Sequence, residues 1–456
     1  MPSPESTLPD QNGTSIQFGL KREIGLLGAI ALGLGAILGT GVFVTVVVAA
    51  EKFGINVLTG IALAAVTAIC NGLSSARLAA AFPVSGGTYE YACRLLDPRV
   101  GFAAGWLFLC AKIASAAAAA LGTALYIQAL WPTAQAIPVT WIALLCIAFV
   151  GALAIGSVKL TNVVNIILVT VTLVALSVFI ASAIAIDSAD QGTRSAALAG
   201  AVGFDYRLTL SAAAWMFVAF TGYGRIATLG EEVQNPSWTI PRGVIGALLI
   251  AALIYLAVAW VVLELLPSRF AALESEVVAR LGEAPVVKLT GIQFGGLVYG
   301  LVATGAVTAM MAVELNLVLG LSRVVLAMSR RGDLPVSLEM IHPSFRSPQR
   351  ALLVVLFFVM LLTCFGTLEM AWEFSALTIL VYYAITNLCA MYLCDVVRLF
   401  KNVIGLFGLI LTLSLACFVP MKFWGIATIG LALGFVIRRL CRQYSQRQQS
   451  PQFDVP

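Results

Sequence analysis

The stretch Ile30 to Val48, IALGLGAILGTGVFVTVVV, is long enough to cross a bilayer, yet glycines at 33, 35, 39 and 41 cut through its middle. An apolar run of about 20 residues in hydrocarbon has to be helical, because lipid offers the backbone no hydrogen-bond partner. Glycine costs a helix about 1 kcal/mol against alanine, so four of them close together mark a place where the helix opens. Opened backbone at membrane depth is tolerated only where protein buries it or a cavity takes it up, which makes this stretch a binding-site signature and not a lipid-facing one.

The rest of the chain supports a membrane setting. Hydrophobic residues fill 60% of 456 positions and charged residues 11%, where a soluble domain carries roughly 25% charge. Apolar runs of about 20 residues recur from Ile24 to Ile437 and lack the every-second-residue alternation of barrel strands, so the chain reads as an all-α polytopic membrane protein. Spans are expected at 24–50, 54–76, 99–130, 138–156, 162–186, 208–229, 241–265, 291–322, 351–368, 371–395, 403–420 and 423–438, about twelve transmembrane helices in all.

Met1 to Gly19 is polar, with no basic cluster before an apolar core, so a cleaved signal peptide is not expected. The cysteines are mostly scattered singly through apolar spans (Cys70, Cys110, Cys146, Cys389, Cys417), the pattern of small buried side chains and not of a disulfide frame. A single histidine, His342, cannot build a zinc centre, and no cofactor is expected.

An even span count puts both ends on one side. Nineteen of the 27 basic residues would gather on that side and seven on the other, with Lys112 inside a span, so both termini are expected in the cytoplasm. The formal charge of +5 is then a property of the membrane surface, with the lipid bilayer as partner and no nucleic acid. Two loops stand out on the basic side. Phe82 to Pro98 is amphipathic and contains glycine, while Ser329 to Arg350 is the main basic segment and reads as an anchor to anionic head groups.

A second interrupted segment, MFVAFTGYGRIATLG from Met216 to Gly230, falls in the sixth span. Spans one to five and six to ten then read as two copies of one unit, with discontinuous first and sixth helices at matching places, the five-plus-five layout of a secondary transporter with a mid-membrane site. Opened helices leave amides at one broken end and carbonyls at the other, which match the carboxylate and ammonium of an amino acid. Thr40 and Thr221 add hydroxyls, and Phe220 and Tyr223 are placed to cover a bound side chain. The competing reading is close helix packing, which small residues also serve.

Charge inside the membrane is the next signal, since an ion facing lipid costs several kcal/mol. Lys112 lies about 20 Å into the third span and Glu314 about 14 Å along the eighth from Arg323, at 1.5 Å per residue. The two are expected to share a depth and to form a buried pair or proton-linked contact, against the alternative of a static bridge or separate cavities. The alanine run Ala116 to Ala120 offers a smooth face for close helix approach.

With these motifs placed, the chain resembles the amino acid–polyamine–organocation family of permeases. The likeness rests on GLGAILGTGVFV at 33–44, FPVSGGTYEYACRLLDPRVGFAAGW at 82–106, FTGYGRIATLGEEVQNPSWTIPRG at 220–243 and LGLSRVVLAMSRRGDLP at 319–335. The resemblance implies an inverted-repeat core at 21–398, with repeats at about 21–190 and 205–398, two peripheral helices at 399–440, and tails at 1–20 and 441–456. It implies alternating access in the plasma membrane and an amino acid or related amine as cargo. It assigns the substrate carboxylate to Gly39, Thr40 and Gly41, and the ammonium to carbonyls at Phe220, Thr221 and Gly222, with Phe220 as a gate. Ile37 and Tyr223 complete the candidate substrate contacts; Lys112, Glu314 and Thr172 are the candidate coupling or buried-charge positions. In several proton-linked relatives a lysine in the fifth span stands in for a sodium ion; here Thr170 and Thr172 occupy that region and no lysine lies between Asn162 and Ile186.

The expected function is an amino acid permease working by proton symport or exchange. A neutral or cationic substrate is favoured over an acidic one, because no lysine or arginine lies beside either break in the sequence and Arg225 is assigned to the inner mouth. Polyamine transport would ask for acidic groups along the cavity, and a non-transporting amino acid sensor would keep the same binding geometry. An enzyme is not expected, for want of a nucleophile, base and orienter.

Overall fold

The computed structural model describes residues 24–82, 84, 86–155, 158–187, 204–227, 233–265, 296–342, 348–393 and 398–449. The tail at 1–20, the connections at 188–203 and 266–295, and the end of the second glycine-rich segment at 228–230 lie outside the described residues. The helices are α1 (Leu26–Ile37), α2 (Val46–Phe53), α3 (Asn56–Ala81), α4 (Thr88–Leu95), α5 (Pro98–Leu130), α6 (Val139–Ile155), α7 (Val158–Asp187), α8 (Tyr206–Phe220), α9 (Gly224–Ala227), α10 (Pro236–Leu265), α11 (Gly296–Arg330), α12 (Gln349–Phe365), α13 (Leu368–Tyr392), α14 (Arg398–Ala416) and α15 (Met421–Gln449). Among the described residues the one β contact is an isolated bridge between Ile24 and Val233.

Among the described residues seven helices are long and apolar enough to cross a membrane, and α1 with the segment Gly41–Phe53 makes an eighth, bent by 49° at its break. Val139–Ile155, Gln349–Phe365 and Asn402–Ala416 are apolar but shorter. The protein is thus a multi-pass helical membrane protein.

Helix starts follow local chemistry. Asp97 caps α5 by accepting from the Arg99 amide at 2.6 Å, with Pro98 in the first turn, where its missing N–H costs nothing. Asp205 caps α8 and Thr367 caps α13 in the same way. Gly86 and Gly87 turn the chain into α4 at φ of 110° and 56°, a region that a side chain disfavours.

Helix α5 is the central post and packs most extensively against α11 and α13. Its alanines 116 to 120 are fully buried, the close approach expected of that run. Polar side chains cross-link the bundle where lipid offers no competitor: Asn316 to Asn165, and Asn387 to Asn71, each at 2.6 Å.

One end of the bundle carries a clamp. Arg331 forks onto Glu90 at 2.7 and 2.6 Å, while Asp333 accepts from Tyr89, from Arg438 at 2.8 Å and from Arg442 at 3.0 Å. Arg438 also donates to the Pro98 carbonyl, so α15 ties the start of α5 to the turn after α11. Glu90 holds the Arg331 guanidinium above its usual value, and burial together with Asp333 raises the Tyr89 hydroxyl well above the phenolic range. The opposite end carries the Lys52–Glu369 pair, with the same ammonium over the Trp215 ring.

Candidate functional site

Both glycine-rich segments are broken, each in its own way. Helix α1 stops at Ile37, Leu38 is extended (φ −79°, ψ 102°), and a π-helical turn runs from Gly41 to Thr45 before α2. The Leu38 amide still reaches Leu34, and the amides of Val42 and Phe43 both return to Gly39. Between them the amides of Gly39, Thr40 and Gly41 have no backbone acceptor among the described residues. At the second break α8 passes into a 3-10 turn at Thr221–Tyr223 and then into α9.

The two breaks touch backbone to backbone. A Cβ on Gly222 would run into the Ala36 carbonyl and lie 2.7 Å from the Ile37 nitrogen, so only glycine lets the segments meet. Gly41 is as tightly set, 2.7 Å from the Ala219 side chain by the same test. Gly33 and Gly35 do a different job: they admit Ile226 of α9 and Val169 of α7 against α1. The four glycines therefore divide between helix packing and the break.

Around this contact lies a chamber of about 30 Å³ lined by Ile37, Thr40, Gly41, Lys112, Thr221 and Gly222 among others. It has room for a water or two and not for an amino acid. The Thr40 hydroxyl is buried there without a hydrogen-bond partner. The carbonyls of Ile37 and Ala219, one from each break, converge on the Tyr255 hydroxyl at 2.9 and 3.0 Å. Amides without a backbone acceptor thus lie on the first break, and the carbonyls of Ile37 and Ala219 are held by Tyr255 where the two breaks meet.

Both exits are shut. Toward the Lys52 end, Trp215 donates to the Thr45 carbonyl at 3.3 Å and Trp372 to the Trp215 carbonyl at 3.0 Å. Beyond them is a separate pocket of about 230 Å³ lined by Lys52, Trp215 and Glu373. Toward the clamped end, Tyr223 packs on Tyr383 at 5.4 Å between ring centres, and Gln234 donates to the Ile24 carbonyl. A larger groove of about 690 Å³ between α5, α11, α12 and α15 is lined almost wholly by apolar side chains and shares none of these polar groups.

Several expected contacts lie elsewhere. Gly39 abuts Val313 of α11, Phe220 meets Tyr255 edge-on at 5.0 Å, and Tyr223 belongs to the aromatic stack below, so none of the three lines the chamber. Thr172 bonds back to the Leu168 carbonyl of its own helix at 2.8 Å. The sequence reading missed Ser115, Trp372 and Tyr255. Only Ser115 carried a signal, three residues from Lys112 on the same helical face.

The pairing of Lys112 with Glu314 is not what the structure contains. Lys112 donates to the Thr221 hydroxyl at 2.6 Å and reaches its carbonyl at 3.5 Å. Both Glu314 oxygens are buried without a hydrogen-bond partner among the described residues, near Cys146 of α6. Successive helical residues are turned by about 100° from one another, so Val313 faces the chamber and Glu314 turns away from it. Equal depth was a sound inference for neither partner's direction. The statement that no lysine lies beside either break falls with it, since Lys112 comes to the second break from another helix.

The buried polar chamber between two broken helices, inside a multi-pass bundle, defines the class: a membrane transporter for a small solute. The chain belongs to the amino acid permease family, whose sequence pattern matches residues 28–441. It is 38% identical to an uncharacterized transporter of Mycobacterium bovis over 94% of each chain. It is 29% identical to the branched-chain amino acid permease of Bacillus subtilis over 93% of this chain and 95% of that one, and 27% identical to a serine/threonine exchanger of the same species over 80% and 82%.

Proposed function

We propose that the protein is a secondary carrier that moves amino acids across the plasma membrane by alternating access, with both termini in the cytoplasm. The reading includes about twelve spans and two inverted repeats at about 21–190 and 205–398, with α1 and α8 as the discontinuous helices. The observation that carries it is the pairing of the unbonded Gly39–Gly41 amides and the unpartnered Thr40 hydroxyl with the converging carbonyls of Ile37 and Ala219. A zwitterion needs both halves of that arrangement and needs them close together.

The shut chamber belongs to an occluded state, and substrate entry requires the broken segments to move apart. Such a cycle turns only if the substrate binds its states with different free energies. Coupling is assigned to proton symport or exchange, since no sequence feature compels sodium.

Counterflow in liposomes tests the proposal. Protein loaded inside with unlabelled amino acid should draw labelled amino acid in against its gradient, and imposed proton and sodium gradients then separate the coupling modes. Binding without flux would identify a sensor in place of a carrier.

A further inference from the structure

Lys112 is 4% exposed, lines the chamber, and has Thr221 as its hydrogen-bond partner. Among the described residues no aspartate or glutamate lines the chamber with it. A buried ammonium without an anion is costly, and proteins ordinarily meet that cost with a carboxylate. An acidic solute that enters would bring the anion that the described lining lacks.

Charge balance sorts the candidates. With the Lys112 ammonium fixed in place, a zwitterion leaves the filled chamber at +1, a cationic amino acid brings it to +2, and an acidic amino acid brings it to zero. Position sorts them further. The carrier reading assigns the α-carboxylate to the amides of Gly39–Gly41, on the other break. Lys112 instead stands 3.5 Å from the Thr221 carbonyl, on the break whose carbonyls the carrier reading offers to the α-ammonium. Two cations side by side there repel by several kcal/mol unless an anion sits between them. An anion beside the α-ammonium is the end of a side chain one or two carbons long. Ser115, one turn along α5 and bonded to Ser375 at 2.8 Å, adds a hydroxyl at the same place.

We infer that Lys112 is the specificity-determining residue of the chamber and that the preferred cargo is a short acidic amino acid, whose side-chain carboxylate meets the Lys112 ammonium while its α-groups meet the two breaks. The inference rests on the carrier reading above and reverses the sequence-based preference for neutral or cationic cargo, whose ground was the absence of a basic residue at the breaks.

The test is counterflow of labelled L-aspartate, L-serine and L-lysine in liposomes with the full-length protein, K112M and E314Q. In the unmodified protein aspartate should exceed serine about tenfold, equivalent to about 1.4 kcal/mol, and lysine should neither enter nor compete. K112M should lose that ratio by at least about tenfold while serine flux persists, and E314Q should keep the ranking. Lysine uptake or competition by the unmodified protein overturns the inference and does not depend on any variant folding. So does an unchanged ranking in K112M, or a reversed ranking in E314Q, which would make the aspartate preference depend on Glu314 and not on Lys112. Absence of flux for any amino acid in the unmodified protein defeats the carrier reading itself.

Discussion

Arg438 and Lys112 are buried alike, at 5% and 4% exposure, and are treated in opposite ways. Arg438 is met by Asp333, by the Pro98 carbonyl and by the face of Phe102, a set that answers both its charge and its donors. Lys112 is met by one threonine. A cation that only holds a fold together gains from having its anion built in, whereas a cation that must receive a solute cannot keep one. The contrast separates the clamp at one end of the bundle from the chamber at its middle.

The comparison breaks most sharply at Asp333. Replacing it with asparagine strips the buried Arg438 of its carboxylate and should cost about 3–5 kcal/mol of stability, the usual effect of removing one partner of a buried pair. Thermal unfolding in detergent reads this directly, and an unchanged midpoint would mean the clamp holds nothing. Next in size is Gly222→Val, which drives a side chain into the Ala36 backbone and should reduce flux about 100-fold or more, equivalent to roughly 2.7 kcal/mol. Flux near the unmodified level would show that the breaks need not touch.

Thr40→Val keeps the shape and removes a hydroxyl that has no partner among the described residues. Substrate affinity should fall about tenfold, the worth of one hydrogen bond to a charged group, with no loss of stability. A lowered midpoint with intact affinity would give Thr40 a structural role. The smallest effect is expected for K112M on the substrate-free protein. Removing a buried cation that has no anion should leave stability unchanged or raise it by about 1 kcal/mol. A loss on the scale of Asp333 would mean that the lysine is a fold element after all.

Much of the fold was legible because apolar length is a one-dimensional signal. Described helices fall on the expected segments, seven of them long and apolar enough to cross a membrane and an eighth with the bent pair, and several, α3, α7, α10, α11 and α15 among them, run past the expected limits. The breaks were legible too, as glycine clusters within runs that should be unbroken. Direction around a helix was not. Depth along α5 and α11 suggested that Lys112 and Glu314 meet, but a single residue's rotation carries Glu314 to α6 and leaves Val313 at the chamber. Tyr255 was invisible for a related reason. Nothing in an apolar helix announces that the hydroxyl of its one tyrosine will be shared by two carbonyls from distant segments.

The most direct test of the central claim is a structure determined with L-aspartate at saturating concentration. The account predicts the amino acid in an enlarged chamber, its α-carboxylate on the amides of Gly39 to Gly41, its ammonium on the carbonyls that Tyr255 now holds, and its second carboxylate on Lys112. An amino acid bound elsewhere, with the two breaks still closed on each other, would contradict it.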